Sequence, residues 1–299
     1  VRQGFGADIA SPGEVFRARR ADLPANKIYY SAPGKSLEDI QRTLGQAVLI
    51  ADSLGEVQRI QAAAEDADTS VRIGLRINPN FSFLGDSGQP SKFGIDEDQA
   101  LAFLQAAPCN RVQVTGIHVH LKSQELRADV LSSYYRRMFR LAERIAAVCG
   151  PLEYVNMGSG LGIPYGPEDT PLDLVSLGTA FQSALTIFRA SYPSTRILIE
   201  VGRYAVCQSG IYVTRVVDRK VSHGKTYLIL QNTLNGFLRP SLARLVSSYA
   251  ADVPPAGYEP LFTAEDSFGF HTLKASIPSE IVTLVGHLCP GADVVAENL

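Results

Sequence analysis

The stretch VQVTGIHVH, residues 112–120, decides the fold class because it is short and rich in Val and Ile. Such a run is typical of a strand that is buried on both faces of a parallel sheet. Six further stretches of the same kind lie on either side of it, at residues 6–10, 28–31, 47–51, 71–78, 154–157 and 196–200. Seven strands are therefore predicted in the first 200 residues.

Amphipathic stretches with helix start signals separate these strands. Ser11, Ser36 and Ser53 each stand at a predicted N-cap and are followed by an acidic residue in the first helical turn. Strands that alternate with helices form a parallel sheet with right-handed crossovers. The predicted fold is an α/β fold of the TIM type, a (β/α)8 barrel, which needs eight strands. Because the chain begins almost inside its first strand, we expect the first βα unit to be missing.

The pattern changes after about residue 205. Residues 210–217, 226–231 and 280–285 have the composition of strands, and no long helices are predicted between them. We expect residues 1–205 to form a partial barrel, and residues 206–299 to form a β-rich C-terminal domain that is incomplete at its end. The Pro-rich stretch 253–257 is predicted to be a loop.

Composition and charge disfavour several classes of protein. The 299 residues are 45% hydrophobic and 19% charged and have a net charge of −2 with scattered Lys and Arg, so no nucleic-acid partner is expected. No apolar run approaches the roughly 18 residues that cross a bilayer, so no membrane partner is expected either. The first residues do not resemble a signal peptide, and the four cysteines form no CxxC pair. These features favour reduced thiols in a cytoplasmic protein.

Two strand ends carry distinctive residues, and active sites of such barrels lie at the carboxyl ends of strands. The last barrel strand ends at Glu200 and is followed by Arg203, and the strand before it leads into NMGSGLGIPY, residues 156–165. Three glycines within residues 158–162 let backbone N–H groups approach an anion, typically a phosphate. With an acid and an arginine at the next strand end, we interpret this loop as a phosphate site with a charge partner.

His118 and His120 lie on the same side of their strand, because side chains alternate along a strand. A His-x-His pair could bind zinc, which makes a metal-dependent hydrolase a distant alternative. The other histidines lie in the predicted second domain, so no metal site is expected. His118 fits a structural histidine, whereas His120 stands at the mouth of the strand.

Taken in order, these motifs resemble the alanine-racemase-like enzymes that use pyridoxal 5'-phosphate (PLP), and specifically the diaminopimelate/ornithine decarboxylase group. The resemblance covers nearly the whole chain and is closest to the diaminopimelate branch. It is carried by DIASPGE (8–14), GK (34–35), LRINP (75–79), SKFG (91–94), GIHVHLKSQ (116–124), GSGLGIPY (158–165), EVGR (200–203), LRP (238–240) and VGHLC (285–289).

The resemblance implies a role for each matching residue around the cofactor. Glu200 would pair with the protonated ring nitrogen of PLP, which keeps the ring an electron sink, and His120 would stack on the ring. Arg76 and Asp8 match the ion-pair framework around the cofactor. The phosphate would be held by Gly158, Ser159, Gly160, Gly162, Ser123 and Arg203.

Two further residues match the substrate side of the family's site. Arg239 matches an arginine that engages the substrate in the diaminopimelate branch. Cys289 matches a thiol that a partner subunit delivers into the site as a proton donor, which implies an obligate homodimer with two shared sites. The implied reaction is the PLP-dependent α-decarboxylation of an amino acid.

The sequence departs from the family's pattern at three places. The motif with the lysine that binds PLP covalently is not present. We expect it upstream of this sequence, and the family's late tyrosine motif downstream, unless the chain has lost its catalytic lysine. Lys122 stands where the family usually has Gly. Pro290 follows Cys289 where the family has an acid that binds the distal amine of the substrate, and Asp293 matches a downstream structural Asp.

The loss of this acid disfavours meso-diaminopimelate as the substrate. We expect an amino acid or amino-acid conjugate with a non-amine distal group, as in siderophore or antibiotic biosynthesis. Diaminopimelate decarboxylase of lysine biosynthesis, a PLP-dependent racemase, and a non-catalytic regulatory homologue without the lysine are the alternatives.

Overall fold

The computed structural model describes residues 3–106, 109–166, 169–249, 268–273 and 279–299. The chain forms two compact units. Unit 1 comprises Val1–Lys122, Arg127–Gly160 and Asp173–Val201, and unit 2 comprises Ser123–Leu126, Leu161–Leu172 and Gly202–Leu299.

Unit 1 is built on a parallel sheet with helices between its strands. The strands are β1 (Ala7–Ile9), β2 (Ile28–Tyr30), β3 (Val48–Ala51), β4 (Val71–Asn78), β5 (Ile95–Asp96), β6 (Val112–His118), β7 (Tyr154–Asn156) and β8 (Arg196–Leu198). They pair in the order β1-β2-β3-β4-β6-β7-β8, and the short β5 pairs with β4. The seven predicted strands are confirmed as a parallel half-barrel, and their ends differ from the prediction by at most two residues.

Helices α1 (Pro12–Arg20), α2 (Leu37–Thr43), α3 (Leu54–Asp66), α4 (Glu97–Ala106), α5 (Ala128–Cys149) and α6 (Leu174–Ser191) belong to the same unit. The three predicted serine N-caps are confirmed. Ser11 Oγ accepts the backbone N–H of Glu14 at 3.3 Å, and Ser53 Oγ accepts the N–H three residues on at 3.1 Å. Ser36 and Asp39 form a full capping box with 3.1 Å bonds in both directions. These bonds satisfy N–H groups that a helix start leaves without partners.

One face of the sheet is filled by Tyr154 on β7. Its ring is buried and packs edge-on against Tyr29, with 5.1 Å between the ring centroids. A Cβ atom at Gly74 on β4 or at Gly116 on β6 would overlap the Tyr154 side chain. Both glycines are therefore needed to make space for the ring.

A buried ion pair joins the segment after β2 to helix α3. Lys35 is 1% exposed, and its Nζ lies 2.9 Å from Glu56 Oε2 and donates to the carbonyl oxygens of Ala32 and Ile50. Burial lowers the pKa of the Lys35 ammonium, although Glu56 opposes this shift. Three acceptors match the three N–H groups of a lysine, so Lys35 is fully engaged.

Unit 2 contains a four-stranded sheet. Its described elements are α7 (Arg203–Val206), β9 (Val216–Ser222), β10 (Lys225–Leu230), α8 (Leu238–Tyr249), β11 (Val282–Val285) and β12 (Val294–Ala296). The strand order is β12-β11-β10-β9; β10 and β11 pair in parallel, and the outer pairs are antiparallel. The predicted β-rich second domain is confirmed in its strand content.

Two predictions within unit 2 were wrong. The strand predicted at residues 210–217 forms instead at Val216–Ser222, because a tight turn with positive φ at His223 and Gly224 sets the register of the β9–β10 hairpin. The predicted absence of long helices is corrected by α8, whose leucines at 238, 242 and 245 follow a helical spacing. The loop predicted at residues 253–257 lies outside the described residues.

Candidate active site

Glu200 stands two residues beyond β8 and has contacts from two other strand ends. His118 Nε2, at the end of β6, lies 3.0 Å from Glu200 Oε1. Asn156 Nδ2, at the end of β7, donates to the same oxygen at 2.9 Å. The second carboxylate oxygen faces His120 Nδ1 at 3.6 Å. The carboxyl ends of three strands therefore meet at one carboxylate.

The surroundings of Glu200 keep its carboxylate ionised. Burial alone raises the pKa of Glu200, but the contacts with His118 and Asn156 oppose this effect, and the net shift is downward. The Glu200 side chain is 17% exposed, whereas that of His118 is 2% exposed. The negative charge of Glu200 is thus accessible, whereas the histidine that contacts it is buried.

His120 is held by the glycine loop through its Nδ1 atom. The Ser159 N–H donates to His120 Nδ1 at 3.1 Å, so this nitrogen carries no proton and the neutral ring has its proton on Nε2. Burial lowers the pKa of His120, which also favours the neutral ring, although Glu200 opposes the shift. The contact between His120 and Glu200 is consequently not an ion pair. With 27% of its side chain exposed, the ring has surface available for stacking.

The loop after β7 contains two positions that only glycine fits. Gly158 has φ +62° and Gly160 has φ +122°. A Cβ atom at Gly158 would lie 2.5 Å from a backbone carbonyl oxygen, and one at Gly160 would lie 2.8 Å from a leucine methyl carbon. The Gly158 N–H donates to Asn156 Oδ1 at 2.9 Å. The N–H groups of Gly158 and Ser159 thus have protein acceptors, so an anion here would bind to other amides of the loop.

Arg76, on β4, is a buried cation of the same unit. Its Nη1 lies 3.5 Å from Asp52 Oδ1, and its guanidinium lies over the Phe93 ring at 4.2 Å from the centroid. Burial lowers the pKa of Arg76, whereas the negative charges of Asp52 and Glu200 raise it. A guanidinium between a carboxylate and an aromatic face is held in one orientation.

Asp8, on β1, belongs to the same charge network. Its Oδ1 accepts the Ser31 hydroxyl at 2.7 Å. Desolvation of the carboxyl group and the negative charge of Glu200 raise the pKa of Asp8 to about 6, although Ser31, His118 and Arg76 each lower it. The residue as a whole is exposed, so solvent screens part of this effect.

Unit 2 carries a second group of the predicted residues. Ser123 and Gly162 belong to it, and Gly162 N–H donates to the Glu125 carbonyl at 2.9 Å. The neighbouring Gln124 binds both backbone groups of Ile163, accepting its N–H at 3.1 Å and donating to its carbonyl. This two-point contact fixes the segment that follows the glycine loop.

Tyr165, also in unit 2, lies beside both of the predicted arginines. The Arg203 guanidinium is 5.8 Å and the Arg239 guanidinium 5.2 Å from the Tyr165 ring centroid. Cation–π contacts of this kind orient a guanidinium without consuming its hydrogen-bond donors. The two arginines are thus brought to one aromatic ring.

The turn after β11, residues 286–293, holds Cys289 at an exposed position. Asp293 closes this turn: it is 3% exposed, and its two carboxylate oxygens accept the N–H groups of Leu234 at 2.7 Å and Leu288 at 3.0 Å. A Cβ atom at Gly286 would overlap the same carboxylate. Asp293 therefore acts within the turn, and Pro290 and Cys289 are exposed beside it.

Asn156, Asp52 and Gln124 are among the residues with direct contacts in these networks that were not identified from the sequence. Asn156 and Asp52 follow or end buried strands, and Gln124 follows His120 and Ser123 in a motif that was quoted without a role for it. A polar residue at the carboxyl end of an apolar strand is the signal that would have found the first two.

Metal-ligand clusters and membrane-spanning helices are absent from the described ranges. No group of three or more His, Cys, Asp or Glu residues there could hold a metal ion. No helix there is both long and apolar enough to cross a membrane.

Comparison with known proteins identifies the class of protein. The family model for the pyridoxal-binding domain of pyridoxal-dependent decarboxylases matches residues 1–207. The L-glutamyl-[BtrI acyl-carrier protein] decarboxylase of Niallia circulans is 30% identical over 99% of this chain and 68% of its own length. The 2-[(L-alanin-3-ylcarbamoyl)methyl]-2-hydroxybutanedioate decarboxylase of Staphylococcus aureus is 30% identical over 98% of this chain and 72% of its own length.

A solved structure agrees with these matches. Diaminopimelate decarboxylase from Helicobacter pylori in complex with L-lysine superimposes with a TM-score of 0.75 and 26% identity, over 98% of this chain and 69% of that one. The fold and the site thus define a PLP-dependent enzyme of the barrel type with a β-rich second domain. More particularly, the chain belongs to the pyridoxal-dependent decarboxylase family and resembles its diaminopimelate branch. The predicted family, enzyme class and cofactor are confirmed.

The residues of unit 1 fit PLP in their chemistry. An ionised carboxylate with some exposure suits a protonated pyridine nitrogen, and a neutral imidazole suits stacking on the ring. The turn at Gly158 and Gly160 leaves no room for a side chain, as expected where backbone approaches a phosphate. The relatives that this chain matches are named as decarboxylases of an amino acid or an amino-acid conjugate.

Proposed function

We propose that the full-length protein decarboxylates an α-amino acid whose distal end is conjugated and carries no free ammonium group. The turn at residues 286–293 carries this proposal. Pro290 occupies the position of the family's amine-binding acid, and Asp293, the single acid of the turn, is buried with both oxygens bonded to backbone N–H groups. A distal ammonium would have no carboxylate of this turn to bind, and an unpaired buried charge is unfavourable.

The names of two relatives support a conjugated substrate. One acts on a glutamyl group carried by an acyl-carrier protein, and the other on an L-alanin-3-yl group joined through a carbamoyl link. In both names the amino acid is attached to a further group. We propose siderophore or antibiotic biosynthesis as the setting, in the cytoplasm.

For the residues of unit 1, we propose the roles that the family resemblance implies. When bound, PLP supplies the electron sink for the charge that remains as CO2 departs. Glu200 holds the proton on the ring nitrogen through its ionised carboxylate, and His120 supports one face of the ring. The turn at Gly158–Gly160 carries the phosphate, Arg76 balances the charge of Glu200, and Asp8 belongs to the ion-pair framework around the cofactor.

For unit 2, the roles likewise are proposals from the resemblance. Ser123 and Arg203 contact the phosphate, Gly162 holds the segment after the glycine loop against Glu125, and Arg239 binds a carboxylate of the substrate. Cys289 donates a proton to the product in a homodimer, where each subunit supplies this thiol to its partner. The exposed position of Cys289 supports such a role.

The visible absorption spectrum of the purified full-length protein tests the cofactor proposal. We expect a band that borohydride bleaches and a peptide map that places the trapped cofactor on a lysine upstream of Val1. A protein that shows no band even with added PLP would favour the regulatory homologue.

Release of CO2 tests the substrate proposal. We expect faster release from amino acids acylated or esterified at the distal end than from meso-diaminopimelate. Pro290→Glu should then improve turnover of substrates with a distal amine, and Pro290→Ala serves as the control. Rapid turnover of meso-diaminopimelate by the unaltered protein would instead favour the lysine-pathway alternative, which Arg239 and the Gly-Ile-Pro-Tyr segment support.

A further inference from the structure

Asn156 uses both ends of its side-chain amide inside unit 1. It is the last residue of β7 and is 2% exposed. Its Nδ2 donates to Glu200 Oε1 at 2.9 Å, and its Oδ1 accepts the Gly158 N–H at 2.9 Å. Since an ionised carboxylate only accepts and a backbone N–H only donates, these partners fix which end of the amide is nitrogen.

A third bond closes these contacts into a ring. The backbone N–H of Glu200 donates to the carbonyl oxygen of Gly158 at 2.7 Å. Asn156, Gly158 and Glu200 are thus joined pairwise by three hydrogen bonds, and a shift of one would strain the bonds of the other two.

We propose that Asn156 is a positioning residue that sets the Glu200 carboxylate and the glycine turn together. This inference rests on the proposed roles of Glu200 with the PLP ring nitrogen and of the turn with the PLP phosphate. The distance between the Glu200 carboxylate and the glycine turn is then set by one planar side-chain amide that bonds to both.

The residue type matters because few side chains supply a donor and an acceptor on one short planar group. An aspartate at position 156 could still accept the Gly158 N–H. In its ionised form it could not donate to Glu200, and in this buried setting it would place a second negative charge beside the first, which raises the pKa of one of the two carboxyl groups. The groups that face Glu200 are His118, His120, Arg76 and Asp8. His118 and Arg76 offset its negative charge, whereas Asp8 is itself an acid whose pKa is raised by Glu200.

Two variants of the full-length chain separate the two bonds. Asn156→Asp keeps the acceptor for Gly158 and loses the donor to Glu200, whereas Asn156→Ala loses both. Asn80→Asp is a matched control, because Asn80 also donates its side-chain amide to a carboxylate, Asp98 Oδ1 at 2.9 Å, on the exposed surface.

Two readouts on the PLP-free protein test the bonds without the cofactor. In Asn156→Asp, carboxyl 13C NMR should show two neighbouring carboxyl groups that titrate as a pair, with the higher apparent pKa at least about one unit above the pKa of Glu200 in the unaltered protein. Hydrogen exchange of the Gly158 amide should be about tenfold faster in Asn156→Ala, as expected for one lost hydrogen bond. In Asn156→Asp it should stay within about threefold of the unaltered protein.

A third readout concerns the cofactor. The preference for PLP over pyridoxal, which lacks the phosphate, should fall by about tenfold in Asn156→Ala. A higher apparent pKa in Asn156→Asp that equals the pKa of Glu200 in the unaltered protein, or equal loss of Gly158 protection in both variants, would overturn the inference. Failure of the unaltered protein to bind PLP would count against the proposed function alone, since the first two readouts need no cofactor.

Discussion

The Ser159 N–H donates to His120 Nδ1 at 3.1 Å, which joins the glycine loop after β7 to the second residue after β6. The bond needs an unprotonated Nδ1, so it selects one tautomer of the imidazole. Protonation of Nδ1 would break the bond and release the loop. The position of the loop and the charge of His120 are therefore linked.

We expect His120 to be neutral at pH 7 with its proton on Nε2. Burial lowers the pKa of His120, and the bond from Ser159 also favours the neutral ring. Long-range 15N NMR of the imidazole distinguishes the tautomers, and the exposed His271 provides a reference in the same spectra. A protonated Nδ1 at neutral pH would contradict this geometry.

Glu200→Gln should lower the rate of decarboxylation by about 10- to 100-fold while PLP still binds. A neutral amide keeps the size of the side chain but loses a charge-assisted bond to the ring nitrogen, which is worth about 1.5–3 kcal/mol. Glu153→Gln, at an exposed ion pair with Arg72, is the control. Equal rates for the Glu200 variant and the unaltered full-length protein would show that this carboxylate does not act on the ring.

Gly158→Ala should lower the free energy of unfolding by about 1–3 kcal/mol and abolish tight PLP binding. The added Cβ would lie 2.5 Å from a backbone carbonyl oxygen, at a φ of +62° that alanine disfavours. Gly178→Ala provides the contrast, because nothing lies within 4 Å of its Cβ position in helix α6. That variant should be more stable by roughly 0.5–1 kcal/mol. Urea titration measures both, and an equal effect at the two positions would argue against a special turn at Gly158.

Asp8→Asn should stabilise the protein more at pH 8 than at pH 5. The pKa of Asp8 is raised from 3.8 to about 6, so its contribution to stability is present below 3.8 and is lost as the pH rises through about 6. The asparagine side chain does not ionise, so it causes no loss of stability as the pH rises, and its oxygen can still accept the Ser31 hydroxyl. Thermal unfolding at the two pH values measures the difference, with Asp66→Asn on the exposed surface of α3 as the control. A variant whose advantage is the same at both pH values would contradict the raised pKa.

The strands and helix starts of unit 1 could be predicted because their signals are local. The strand Val71–Asn78 is buried over residues 73–77 and has an apolar residue at every second position from Val71 to Ile77. A serine cap forms its bond within one helical turn. Strand β9 was misplaced because its side chains are mostly exposed and its register is set by a turn. Its position does not follow from the apolar residues near 211–213.

The chemistry at the strand ends was only partly predictable. Glu200 and the glycine loop could be identified because they lie at the ends of consecutive strands, together with Arg203, in the order of the family's motifs. The bonds that Asn156 makes to them could not, because they depend on the relative height of β7 and the segment after β8. For the same reason, the sequence did not indicate that the N–H groups of Gly158 and Ser159 form hydrogen bonds with Asn156 and His120.

The engagement of Lys35 has a practical consequence for labelling chemistry. Its ammonium is enclosed by two main-chain oxygens and Glu56, so acylating or reductive-alkylating reagents should leave it unmodified while the chain is folded. A mass spectrum after such treatment should show modification at Lys27 or Lys225 and an intact peptide around residue 35. Lys35 would thus report on the folded state, because it becomes modified only when the half-barrel unfolds around it.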